Sequence, residues 1–425
     1  MRTIARSITR WEWLILLLLM PIILFPPRYG LLALLVIPVL WGARKLADGH
    51  FVPPTPYDLA LLLLLIMVGV SVWAAFDPAL SMPRVAAILL GVALFYGAVA
   101  RGRSGRGRVW PVVVFVLAAG ALMGLIGLIG VVWAPPFDYL NGARALLPRA
   151  VAIPGAVGGV VSPNELAGVL CWVGPLALGC LIGAARRRPR GALLIILLLT
   201  LFLLLTSFLV AATLSRGGMV ALAAGVVLVL AFFIPFRWRL VLLVGFVVVV
   251  IGLIAYGGSQ LEEDIVGDMM GLSGRLEIWS RALLGIADFP LTGMGVSGFR
   301  QVVHVLYPLF TISSEIDLGH AHNHLLQAAL DLGLPGLVAY LALWLISAGL
   351  LALTARRLVR RRATRHPYYA LVAGLAGSLL AGWLFGLVDA VALGARPAFL
   401  WWLLLGLTAS VHYAVGYSGE WRRKL

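Results

Sequence analysis

Long apolar runs, each bounded by a few arginines, prolines or glycines, follow one another along nearly the whole chain. A bilayer's hydrocarbon core is matched by about 20 helical residues, so runs of this kind predict membrane-spanning helices. Twelve can be marked, at roughly 11–26, 30–43, 58–76, 84–100, 109–133, 164–185, 192–214, 217–235, 239–256, 335–355, 368–388 and 397–417. No Gly/Ser linker and no fixed-period repeat divides them. Residues 1–425 are therefore read as a single polytopic membrane domain, all-α, with about twelve transmembrane helices. Two intervening segments are long, at about 134–163 and 257–334. The second holds Ile278, Trp279, Leu283, Leu284, Phe289, Phe299 and Tyr307, and is expected to fold onto the membrane domain as a large outer loop carrying short helices. Ser273 is expected to cap one of them, over 273–285.

Composition agrees with this pattern and excludes a soluble globular protein. Of the residues, 62% are hydrophobic and 12% charged, with mean hydropathy +1.03. The net charge of +16 would suggest a nucleic-acid partner in a soluble chain. Here the basic residues fall in short clusters between apolar runs, which sets topology instead. One set of loops holds Arg2, Arg6 and Arg10; Arg44 and Lys45; Arg101 to Arg108; Arg186 to Arg190; Arg237 and Arg239; Arg356 to Arg365; and Arg422 to Lys424. That side is expected to be cytoplasmic, with both termini on it. The basic first segment lacks a small-residue cleavage site and is read as a retained span. Cys171 and Cys180 lie roughly 13 Å apart along one helical run, too far for a disulfide.

The opposite side carries Arg28, Arg84, Arg144, Arg149, Arg216, Arg275, Arg281, Arg300 and Arg396, and no lysine. It also carries the densest group of titratable residues, His320-Ala-His-Asn-His324, followed by an apolar run through Gly333-Leu-Pro-Gly336. Asn323 suits the N-cap of a surface helix ending near Leu332. Gly333 suits its left-handed C-terminal position, and Pro335 the first turn of the next span. His322 then precedes a helix N-terminus, where positive potential disfavours imidazolium and a neutral ring can take a proton from a hydroxyl. The bland reading is a histidine bonded to lipid headgroups.

These stretches resemble a family. His322-Asn323, nine residues, then Gly333-x-x-Gly336 is similar to the outer-loop signature of O-antigen ligases and related O-antigen polymerases. Leu214-Ser-Arg-Gly-Gly-Met219, Arg275-Leu-Glu-Ile-Trp279, Asp288-Phe-Pro-Leu-Thr-Gly-Met-Gly295 with Phe299, and Ser162-Pro-Asn-Glu165 also resemble family segments, although Ser162 departs from the Asn-Pro-Asn form. The resemblance spans roughly 160–390. It implies a C-type glycosyltransferase-like fold in the bacterial inner membrane. It implies a metal-independent, cofactor-free, inverting enzyme that moves a glycan from undecaprenyl diphosphate to a hydroxyl, such as that of a lipid A core oligosaccharide, on the periplasmic face.

An all-arginine outer surface fits such a donor, because guanidinium grips phosphate oxygens as a planar fork. His322 is the expected base. Arg216 is the first choice for the diphosphate, then Arg275, with Arg281 and Arg300 as further candidates that would otherwise pair with Glu277 or Asp288. Asn323, His320, His324 and Asp389 are expected to support the site, Asp389 by orienting an arginine. A three-histidine metal site is not expected, because no zincin spacing accompanies it. Glycan polymerisation is the alternative within the family. Transport of a lipid-linked oligosaccharide is the alternative outside it, disfavoured because spans five, seven, nine and twelve carry no charged residue in their middles.

Overall fold

The computed structural model describes residues 2–26, 29–103, 109–142, 160–189, 191–260, 272–391 and 393–416. Arg28, Arg144 and Arg149 of the outer set, and the acidic Glu262, Glu263, Asp264 and Asp268 of the long outer loop, lie outside these residues. The described chain is helical, with no strand among the described residues. Its helices are α1 (Arg2–Leu24), α2 (Val36–Asp48), α3 (Asp58–Ala74), α4 (Pro78–Arg103), α5 (Trp110–Gly130), α6 (Pro163–Arg187), α7 (Ala192–Ala212), α8 (Arg216–Ala231), α9 (Phe236–Gln260), α10 (Leu272–Asp288), α11 (Gly298–Leu306), α12 (His324–Arg360), α13 (Pro367–Val388) and α14 (Phe399–Gly416).

Nine of the described helical segments are long and apolar enough to cross a membrane. The apolar helices α3 and α8 fall just short, at 17 and 16 residues, and α9 has 25. These elements stand where the twelve spans are expected. The protein is an all-α integral membrane protein.

The bundle is closed by small residues. Helix α13 packs against both α6 and α8. A Cβ at Gly179 would lie 2.7 Å from Cα of Gly374, and one at Gly377 would lie 2.6 Å from the carbonyl oxygen of Gly225. Glycine at these positions lets helix backbones touch, which drives association where lipid removes the hydrophobic contrast. The end of α13, and hence Asp389, is thereby held in a fixed place.

Helices α10 and α11 form a lobe with its own apolar core, including Ile278, Ala282, Phe299, Val303, Ala321 and Leu330. Helix α10 starts at Leu272, so Ser273 sits inside its first turn and is not the cap expected of it. The connector 290–296 fastens the lobe to the bundle. Met294 N–H donates to the Leu330 carbonyl at 2.6 Å, and Leu334 N–H to that of Pro290 at 2.7 Å. Val296 N–H donates to Ser71 Oγ on α3 at 2.8 Å, and Ser81 Oγ on α4 to the Val296 carbonyl at 2.7 Å.

The connector docks at Gly333, where α12 kinks. Gly333 has the positive φ expected (68°), but its ψ is 177°. That is an extended, glycine-only conformation and not the left-handed helical one. The difference arises because α12 resumes at once beyond the kink, with peptide groups of 290–293 filling the notch. A Cβ on Gly293 would lie 2.6 Å from the Gly333 nitrogen, and one on Gly333 would meet the Leu291 carbonyl.

Candidate active site

The site forms where the start of α12, the end of α13 and the start of α8 meet, under the lobe. Asn323 caps α12 as expected, its Oδ1 accepting from Leu325 N–H (2.9 Å) and Leu326 N–H (3.1 Å). Its amide donates to the Leu387 carbonyl at 3.0 Å, tying this cap to the last turn of α13. His322 immediately precedes the cap with φ 48°, a left-handed conformation that costs an L-residue roughly 1 kcal/mol or more. The strained backbone turns the ring toward Asp389. His322 Nδ1 and Asp389 Oδ1 are 3.1 Å apart, with side chains only 11% and 6% exposed.

His320 completes the cluster. Its ring lies 4.4 Å from that of His322, its Nε2 is 3.6 Å from Asp389 Oδ1, and its Nδ1 accepts the His322 backbone N–H at 3.1 Å. Burial, reinforced by the neighbouring His322, pushes the His320 pKa down to about 4, so at neutral pH this ring is an uncharged acceptor. Burial alone would raise Asp389. The hydrogen bond from His322, the nearby histidine charges and the Ala390 N–H at 2.7 Å outweigh it and hold the carboxyl below its usual range. With Asp389 ionised, the His322 tautomer protonated on Nδ1 is the bonded one, and Nε2 presents a free lone pair.

Asp389 thus orients an imidazole and not the arginine expected of it. His324, expected to assist His322, turns the other way. As the first helical residue it points into the bundle, with Nδ1 2.9 Å from the Tyr340 hydroxyl and its ring packed edge-on to Trp344 and Trp383. It is a core residue.

The arginines divide. Arg216 opens α8 and is exposed, one residue after Ser215, which caps the helix by accepting Gly218 N–H at 3.3 Å. A Cβ on Gly217 would lie 2.6 Å from Val388, the neighbour of Asp389, so the Arg216 turn and the His322–Asp389 pair share one end of the bundle. Arg275 lies one turn before Ile278 on the lobe face of α10, and its buried Nε has no hydrogen-bond partner among the described residues. The other two are engaged inside the lobe. Arg281 Nε donates to the Pro308 carbonyl at 2.9 Å, with Glu277 3.9 Å away. Arg300 forms a two-pronged pair with Asp317, and not with Asp288, which instead accepts from the Tyr307 hydroxyl at 2.7 Å.

Three functional-looking residues escape the sequence reading. Arg84, within α4, donates from Nη2 to the Gly319 carbonyl at 3.3 Å, while its buried Nη1 has no hydrogen-bond partner among the described residues. It interacts electrostatically with Glu165, Asp331, Arg300 and His320. Gln327 and Asp331 brace the histidine loop: Gln327 Oε1 accepts from Ala321 N–H at 2.8 Å, and Gln327 Nε2 donates to Asp331 at 2.8 Å. The available signal was spacing, since Asn323, Gln327 and Asp331 form a polar i, i+4, i+8 stripe at the otherwise apolar 325–336 stretch.

His320, His322 and Asp389 bring one ligand atom each within 4.8 Å of one another, a set that a divalent cation could occupy. An ion held by Nδ1 of His322 would displace the hydrogen bond, because that nitrogen cannot both donate a proton to Asp389 and coordinate a cation.

No curated protein matches the chain. Residues 199–341, running from α7 through Arg216, the lobe and the histidine loop to just past the kink at Gly333, match the family model described as O-antigen ligase, and over that stretch the chain is similar to that family.

Proposed function

We propose that this protein is an inverting, metal-independent glycosyltransferase that transfers a glycan from undecaprenyl diphosphate to a hydroxyl of a lipid A core oligosaccharide, at the periplasmic face of the bacterial inner membrane. The observation that carries this reading is the buried His322–Asp389 pair standing beside the Arg216 turn. A ring fixed through Nδ1 offers Nε2 to an incoming hydroxyl, as general base catalysis requires. The acceptor oxygen attacks the anomeric carbon as the bond to the diphosphate oxygen breaks, and the hydroxyl proton passes to His322 Nε2. The electron pair leaves on the diphosphate, where guanidinium groups stabilise the growing charge.

Arg216 and Arg275 are the groups assigned to that role, joined by Arg84 through its unpartnered Nη1. Arg281 and Arg300, already held by Pro308 and Asp317, keep the lobe in position. A polymerase of the same family would use these groups with a glycan acceptor.

Reconstitution in lipid nanodiscs with a lipid-diphosphate-linked glycan and separate core-oligosaccharide and glycan acceptors tests the reading. Covalent product is expected from the wild type and none from a folded His322→Ala variant. Product on the glycan acceptor alone would make it a polymerase. Movement of donor across a proteoliposome membrane without product would make it a transporter.

A further inference from the structure

At the end of α12 remote from the histidines lies a second basic site, unrelated to the transfer chemistry. Thirty-seven residues of helix, at about 1.5 Å each, separate the two ends. A cleft of about 490 Å³ opens there between α9, α12 and α13. It is lined by Phe232, Arg239, Arg356, Val359, Arg360 and Tyr369. Arg356 and Arg360 are one turn apart on the same face of α12. Arg239 faces them from the first turn of α9, its Nε anchored on the Ile234 carbonyl at 2.9 Å. The floor is fixed by Tyr369, whose hydroxyl donates to the Phe232 carbonyl at 2.9 Å and whose ring packs on Phe232 and Phe233.

The wall of this cleft contains no carboxylate, and no carboxylate pairs with Arg239, Arg356 or Arg360 among the described residues. Three guanidinium groups around one cleft repel one another and lower their energy by sharing an anion. Topology alone asks only for positive charge and is indifferent to a built cleft with an aromatic floor. The borders define the rest of the ligand. Val359 lies in the cleft itself and is 50% exposed, and Leu353 on α12 and Leu243 on α9, each one turn from a cleft arginine, are exposed apolar side chains. An anionic head with apolar tails matches both surfaces, as basic pockets between membrane helices do for phospholipid heads.

We infer that this cleft binds the phosphate head of an anionic diacyl phospholipid, with guanidinium forks on the phosphate oxygens and the acyl chains along α9 and α12.

The discriminating change is Arg239→Lys/Arg356→Lys/Arg360→Lys, which keeps every topogenic charge and removes the forks. Purified full-length protein in neutral detergent is mixed with phosphatidylglycerol, cardiolipin or phosphatidylcholine, and lipid retention is read by native mass spectrometry beside thermal melting. The wild type should retain the anionic lipids over phosphatidylcholine and melt higher with them. The triple variant should lose about tenfold in retention, the scale of losing one charge-assisted hydrogen bond. Arg2→Lys/Arg6→Lys/Arg10→Lys, at exposed positions of α1, should change nothing. Should the triple variant not fold, Arg356→Lys/Arg360→Lys on the exposed face of α12 carries the same comparison. Equal retention by the lysine variant, or equal retention of phosphatidylcholine, overturns the inference. Inorganic pyrophosphate displacing the lipid and protecting equally well overturns it in favour of a soluble anion.

Discussion

Asp389→Asn removes a charge and leaves a shape. One oxygen, Oδ1, meets both His322 Nδ1 at 3.1 Å and the Ala390 N–H at 2.7 Å. An amide oxygen in the same place keeps both hydrogen bonds. What disappears is the negative charge beside the imidazole as the ring becomes positive. The pair is nearly dry, with side chains 11% and 6% exposed, so water screens it little. Unit charges about 4 Å apart at an effective dielectric constant near 20 interact by about 4 kcal/mol. Each 1.4 kcal/mol is about tenfold in rate, so transfer should slow by about a thousandfold. The donor KM should move little, since the proposed diphosphate ligands are other residues. Single-turnover transfer in nanodiscs, with thermal melting as the folding control, measures this. Near-wild-type turnover in a folded variant would show that the carboxylate does not support the base.

Three further outcomes are expected. Arg216→Lys should cut turnover severely while melting normally, because a point charge does not copy the fork; near-normal kinetics would reduce Arg216 to a membrane anchor. Gly333→Ala should lower stability by on the order of 2–3 kcal/mol, from the glycine-only backbone and the clash with the Leu291 carbonyl. Gly293→Ala should act on the same contact, so the double variant should melt well above the additive expectation; full additivity would mean two separate contacts. As for pH, the folded His320 pKa of about 4 lies below the usual histidine value, so the unfolded chain binds more protons between these limits. Stability from this group is complete above about pH 6.5 and is lost as pH falls toward 4. Asp389, also depressed, adds a loss at still lower pH. Melting should therefore drop on acidification across that window, and His320→Gln should flatten the drop. An unchanged slope would place the titration elsewhere.

Much of the architecture can be read from the apolar runs, because in lipid each backbone polar group must be satisfied within its own helix. Local chemistry reads equally well: Asn323 caps, and Gly333 adopts positive φ. What does not read is which side chains converge. Arg84 sits inside the α4 run and meets Gly319, 235 residues later, only because the lobe folds back on α4. Asp389 is 67 residues from His322, and nothing local says that it faces an imidazole. The pattern His-x-His-x-His treats its three members alike. The chain changes from loop to helix between them, and this sends His320 and His322 to one carboxylate and His324 into the core.

The join between lobe and bundle at Gly293 and Gly333 is made by peptide groups and not by side chains. Peptide groups are the same in every sequence. Substitutions across the exposed skin of α10 and α11 therefore leave this join untouched, provided the two glycines stay and Ser71 and Ser81 keep hold of Val296. The lobe behaves as an interchangeable tool head on a fixed chuck, free to diversify in sequence while the imidazole of His322 keeps its address.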